Sequence, residues 1–159
     1  MRSFLAALAL VAAGSFPALA QSDAQHILDA IFQMFDENHD GFVTTTEANH
    51  FIDTTFHEMD LKGTGRITPE AWLRFSFGLA DLAADQGRSD AYDRTKIRIF
   101  KRWDRRDAGV LTLEDYRAGV LGEARKGLGE KTAQGDEMRI DFAAFQRAPF
   151  VRELMKSLR

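Results

Sequence analysis

The sequence contains no cysteine. It therefore offers no thiol nucleophile, no disulfide and no cysteine on which a lipoprotein anchor could be built. The fold has to do without covalent cross-links and rest on its apolar core. Catalytic signatures are missing too: there is no HExxH pair and no nucleophile elbow. The glycine-rich GTGRIT at Gly63 to Thr68 has no strand ahead of it and is not a phosphate-cradling loop. These gaps point away from an enzyme. Nor is positive charge in excess. The chain has 21 lysines and arginines against 24 acidic residues, a formal net charge of −3 with the acids scattered, which argues against nucleic acid as a partner.

No long apolar run occurs beyond residue 20. The one at the N-terminus, Phe4 to Ala13 in MRSFLAALALVAAGSFPALA, follows a single charge at Arg2 and precedes Ala18-Leu19-Ala20. That order of charged, apolar and small-residue segments is the pattern of a cleaved export signal peptide, and the run is short for a membrane span. The expectation is a signal peptide over 1–20 and one domain over 21–159, periplasmic or secreted. Loss of Arg2 would make the chain one unit more negative.

Twelve residues, DENHDGFVTTTE from Asp36 to Glu47, carry the most chemistry. Asp36, Asn38 and Asp40 set side-chain oxygens at positions 1, 3 and 5 of a loop. Gly41 at position 6 permits a sharp turn, and Phe42 at position 7 offers its carbonyl. Thr44 at position 9 ligates directly or through water, and Glu47 at position 12 closes the set with two carboxylate oxygens. A hard divalent cation with a flexible, roughly seven-coordinate oxygen shell takes its donors in this order. The segment resembles the calcium loop of the EF-hand family at every one of these positions. The resemblance implies Ca2+ as the bound ion, an all-α fold of helix-loop-helix repeats with short β contacts between loops, and a binding protein.

The unit recurs in decaying form. Asp60 to Ala71 reads DLKGTGRITPEA, with Gly65 at position 6 and Ile67 at position 8. Asp104 to Asp115 reads DRRDAGVLTLED, with Gly109 and Leu111 in those places. Ala133 to Ala144 reads AQGDEMRIDFAA and keeps Ile140 and Asp141. Aromatic or methionine residues sit four and one places before the first three loops: Phe32 and Phe35, Phe56 and Met59, Phe100 and Trp103. Those offsets belong on the buried side of an entering helix. Ligand chemistry is lost unevenly. Loop 2 has Lys62 at position 3 and Ala71 at position 12, with Glu70 one place early. Loop 3 has Arg106 and Ala108 at positions 3 and 5, with the shorter Asp115 at 12. Loop 4 lacks acids at both ends. One competent site, a doubtful second and two structural remnants are expected.

About six helices follow, near 23–35, 45–59, 69–84, 90–103, 113–126 and 142–158. Thr68 before Pro69 marks a helix start, and a break at 85–89 divides the domain into halves 23–86 and 88–159. Twelve residues separate loops 1 and 2, about 18 Å as helix. That is too short for two helices, so one shared helix carries both loops at opposite ends. Loop 2 must then pair with loop 3 through Ile67 and Leu111, and loop 1 with loop 4 through Val43 and Ile140. The short spacing resembles that of lanmodulin, an exported EF-hand family of lanthanide-selective proteins. The likeness covers spacing and compartment. The proline those loops carry at position 2 is replaced here by Glu37, Leu61, Arg105 and Gln134, which puts lanthanide selectivity in doubt.

Two surface stripes remain. His50, Asp53 and His57 share a helical face that could take a transition metal or be a solvated stripe. Arg94, Arg98, Lys101, Arg102 and Arg105 fall within about 100° of arc, which suits an acidic partner, an anionic membrane surface contacted peripherally, or solvent. The functional expectation is a calcium-responsive sensor or modulator that engages a protein partner through an apolar groove rich in phenylalanine and methionine. The alternative is a constitutive adaptor or membrane-surface module in which calcium is a static staple.

Overall fold

The computed structural model describes residues 16–128 and 137–159. Most of the expected signal peptide, 1–15, and the start of the fourth loop, 133–136, lie outside them. The order is α1 (Phe16–Phe35), β1 (Phe42–Thr44), α2 (Thr45–Met59), α3 (Pro69–Arg74), α4 (Leu79–Asp85) and α5 (Ser89–Trp103). It continues with α6 (Leu113–Leu128), β2 (Arg139–Asp141), α7 (Phe142–Arg147) and α8 (Pro149–Ser157). No helix among the described residues is long and apolar enough to cross a membrane.

Two of the six expected helices are broken, giving eight among the described residues. The 69–84 helix stops at Arg74, and Phe77 and Gly78 adopt φ of 52° and 83° before α4 begins. Packing drives the break. The Phe77 ring stacks 5.5 Å from Phe51 and meets Phe75 edge-on at 4.6 Å. Lys96 then ends α3: its ammonium, on a side chain 3% exposed, donates to the carbonyls of Trp72, Leu73 and Phe75, orphan acceptors at a helix C-terminus. Burial draws the Lys96 pKa down to about 8, against the opposing pull of Asp93. The second break lies at Ala148, whose ψ of 132° is extended. Pro149 follows, and its ring disfavours a helical conformation in the residue before it.

The pairing inferred from loop spacing is present. β1 and β2 are antiparallel with Val43 opposite Ile140, and Ile67 bridges Leu111. Two apolar clusters form around these contacts. Phe32, Phe35, Val43, Phe51, Ile140 and Phe145 belong to the first; Ile52, Phe56, Ile67, Trp72, Trp103 and Leu111 belong to the second. Helix α2 serves both, with Phe51 on one side and Ile52 on the other. Helix α6 does the same with Ala124 and Val120. Two glycines on α6 allow its close packing: a Cβ at Gly119 would meet the Trp103 ring at 2.4 Å, and one at Gly127 the Ala144 carbonyl oxygen at 2.3 Å. Between the clusters lies an apolar cavity of about 90 Å³, bordered by Phe35, Phe51, Trp72, Trp103 and Phe150. The large exposed apolar side chains among the described residues are Met34, Phe42 and Leu61, so the phenylalanine-rich surface is turned inward.

Candidate metal centre

The described parts of the four loops share a frame. The residue at position 9 caps the exit helix, accepting a hydrogen bond from the backbone N–H three residues on. Thr44 takes it from Glu47, Thr68 from Ala71, Thr112 from Asp115 and Asp141 from Ala144. The residue at position 8 is buried and paired across loops. In loops 1 to 3 the aspartate at position 1 folds the turn by accepting from the N–H groups at positions 5 and 6. Asp36 holds Asp40 and Gly41, Asp60 holds Thr64 and Gly65, and Asp104 holds Ala108 and Gly109. The turn puts Gly41 at φ 82°, where a side chain would be strained. Positions 8 and 9 thus persist in all four copies, and positions 1 and 6 in the first three, because they build the loop, while positions 3, 5 and 12 vary.

In loop 1 the carboxylates of Asp36 and Glu47 are buried, 5% and 8% exposed. Glu47 bends back over the loop: Oε1 accepts from the Asn38 N–H at 3.4 Å, and Oε2 from the Thr44 N–H at 2.9 Å and its hydroxyl at 2.7 Å. With Thr44 it forms a reciprocal capping box on α2. Burial alone would raise the Glu47 pKa, but the donors from Thr44, Asn38 and Glu37 together hold it below its ordinary value. Asp40 is turned elsewhere, to the Phe42 N–H and to Arg139 at 3.4 Å. The Asn38 side-chain oxygen accepts from the Asp40 N–H, and Phe42 is partly exposed beneath the Arg139 guanidinium, 4.4 Å from its ring. Asp36, Asn38, Thr44 and Glu47 are therefore gathered in one hydrogen-bonded loop, with Asp40 and Phe42 at its edge. No three His, Asp or Glu side chains among the described residues stand at ligand spacing. The donor chemistry still fits calcium: the oxygens are hard, and the buried Asp36 and Glu47 form no salt bridge among the described residues.

Loop 3 answers the same electrostatic demand differently. Thr112 and Asp115 repeat the Thr44–Glu47 arrangement, with the Thr112 hydroxyl donating to Asp115 at 2.7 Å. Arg106, at position 3, donates one guanidinium nitrogen to Asp115 at 2.6 Å and to Thr112 at 3.0 Å. Burial tends to raise the Asp115 pKa, but Thr112 and Arg106 hold it below its ordinary value. A tethered guanidinium meets the position-12 carboxylate from inside the chain. In loop 2 position 12 is Ala71 and brings no acid. Glu70 is exposed, and its carboxyl is held low first by the Thr68 hydroxyl at the start of α3.

The histidine stripe is dispersed: His50 pairs with Glu37, Asp53 with Arg117, and His57 with the Asp53 carbonyl. Sequence reasoning missed the contacts that join loop 1 to loop 4, namely Arg139 to Asp40 and the Met138 N–H to the Thr45 hydroxyl at 2.7 Å. Only the Val43–Ile140 pairing could have pointed to them, since it sets Arg139 opposite Thr44.

Residues 28–48 match the family model described as EF hand. The matched segment runs from Leu28 in α1 through the whole of loop 1 to Ala48 in α2, a helix-loop-helix as the EF hand has. No curated protein and no solved structure matches the chain.

Proposed function

We propose that this is an exported calcium-binding protein that takes one ion in loop 36–47 and uses it to control contact with a protein partner. The observation that carries the reading is the contrast between two position-12 acids. In loop 3 Asp115 is met by Arg106, whereas in loop 1 the buried Glu47 has N–H and hydroxyl partners alone. Three carboxylates with Asn38, the Phe42 carbonyl and Thr44 make a site of moderate strength, on the order of 10⁻⁶ to 10⁻³ M. Capture of Glu47 by an ion would exchange its capping role for coordination at the first turn of α2, the helix that also holds loop 2 and both apolar clusters. A movement of α2 would open the cavity between those clusters, supplying apolar surface for the partner. The N-terminal sequence pattern supports export, and the EF-hand match over 28–48 supports a binding role.

Calorimetric titration of the chain without residues 1–20 tests the site. One calcium per chain is expected, and none or two overturns the single-loop reading. A second reading is a constitutive adaptor with calcium as a staple. A hydrophobic dye separates the two. Binding that rises with calcium supports the sensor, and binding that ignores calcium while the melting temperature rises supports the staple.

A further inference from the structure

The protein carries a formal net charge of −3, yet α8 forms a ridge between two clefts lined by cations. On its α1 side, Arg88, Arg152, Lys156 and Arg159 line an open cleft of about 930 Å³. On its α5 side, Arg94, Arg98 and Lys156 line another of about 470 Å³. Glu153 is the one acidic side chain in either lining, and it is already held by Arg98 at 3.4 Å and Arg102 at 3.0 Å. Arg88, Arg94, Arg152, Lys156 and Arg159 are exposed and form no salt bridge among the described residues. Asp90 and Asp93 flank them on α5 but line neither cleft.

A group of like charges repels itself, and a concave wall of one sign concentrates counter-ions. Most of these cations are arginines, whose planar fork matches the oxygens of a phosphate, and Gln25 and Gln146 add neutral amides to the α1-side lining. The shape selects the anion. A flat bilayer would rest on the α8 ridge and could not reach cations on both of its flanks at once, whereas a compact polyanion can enter a cleft. We propose that the cleft between α1 and α8 binds a phosphorylated small molecule carrying two or more phosphate groups, with Arg88, Arg152 and Lys156 as its principal contacts. This site is separate from loop 1 and does not depend on the calcium reading.

Tripolyphosphate is the probe, titrated into the protein by calorimetry at low salt in calcium-free buffer. Saturable binding at one per chain is expected, weakening steeply as salt is raised. Combining Arg88→Gln, Arg152→Gln and Lys156→Gln should weaken it at least tenfold with circular dichroism and melting temperature unchanged. The equally charged combination of Lys62→Gln, Arg66→Gln and Arg105→Gln, on the loop 2 and loop 3 surface, should leave it in place. If the first combination fails to fold, Arg88→Gln alone, ahead of α5, should still weaken binding about threefold. Absence of saturable binding overturns the proposal, as does equal loss in both combinations. So does binding of phosphatidylglycerol vesicles or a polyglutamate peptide where tripolyphosphate fails, since the face would then serve a membrane or an acidic protein.

Discussion

Replacing Glu47 by glutamine keeps the size of the side chain and one acceptor oxygen but removes its charge and its capacity for bidentate coordination. Without calcium, the amide oxygen can still accept from Thr44, so the capping box on α2 is weakened rather than lost. The expected cost is about 1 kcal/mol, a fall of about 2–4 °C in melting temperature for a domain of this size. With calcium the difference grows. An ion present at a hundredfold its dissociation constant stabilises the wild type by about 2.7 kcal/mol, a rise of about 5–10 °C. The Glu47→Gln protein should show almost none of that rise. Thermal melts followed by circular dichroism, with and without calcium and paired with calorimetric titration, read both quantities. A variant that keeps the full calcium-induced rise refutes the assignment of loop 1 as the principal site. A calcium-free loss several times larger than stated would show that Glu47 is chiefly a structural group.

Arg106→Asn combined with Ala108→Asp replaces the tethered cation of loop 3 with oxygen donors, so calorimetry should register a second, weak calcium, on the order of 10⁻³ M; an unchanged stoichiometry would mean that Asp115 is too short to close the loop. Gly127→Ala should destabilise by about 2 kcal/mol or more in chemical denaturation despite better helix propensity, because its Cβ would press on the Ala144 carbonyl at 2.3 Å, a backbone atom with no rotamer to escape into. Acid should destabilise the calcium-free protein through Glu47 and Asp115. Both are depressed in the folded state, so their stabilisation is present above their ordinary values of 4.5 and 3.8 and is lost as pH falls through the lower folded values. A denaturation midpoint that does not change across that window would contradict the hydrogen bonds assigned to them.

Local chemistry was legible from the chain because loop 1 is twelve contiguous residues whose order alone sets the donor set and the turn at Gly41. The loop pairing was legible for a related reason. Twelve residues between two loops permit a single helix and no more, and that distance constraint left Val43 with Ile140 and Ile67 with Leu111 as the available partners. Pro149 announced a helix break that a continuous amphipathic pattern concealed. The break at Phe75 to Gly78 had a weaker signal, since its cause is the stacking of Phe77 on Phe51, twenty-six positions away.

The sequence by itself determined what is set by neighbours in the chain: the ligand order of loop 1, the capping residue at position 9 of each loop, and the helices that enter and leave them. Tertiary packing alone settled what depends on groups far apart in the chain or on the burial of a charge. It made Lys96, an ordinary polar residue by pattern, the buried cap of α3, and it brought Arg139 against Asp40. It also turned Arg106 from an apparent lost ligand into the cation of loop 3, because a guanidinium can stand where an ion would only if the fold bends it onto Asp115. A charge buried in a fold must find partners, and the sequence does not say whether those are backbone groups, an opposite charge of the chain or an ion from solution.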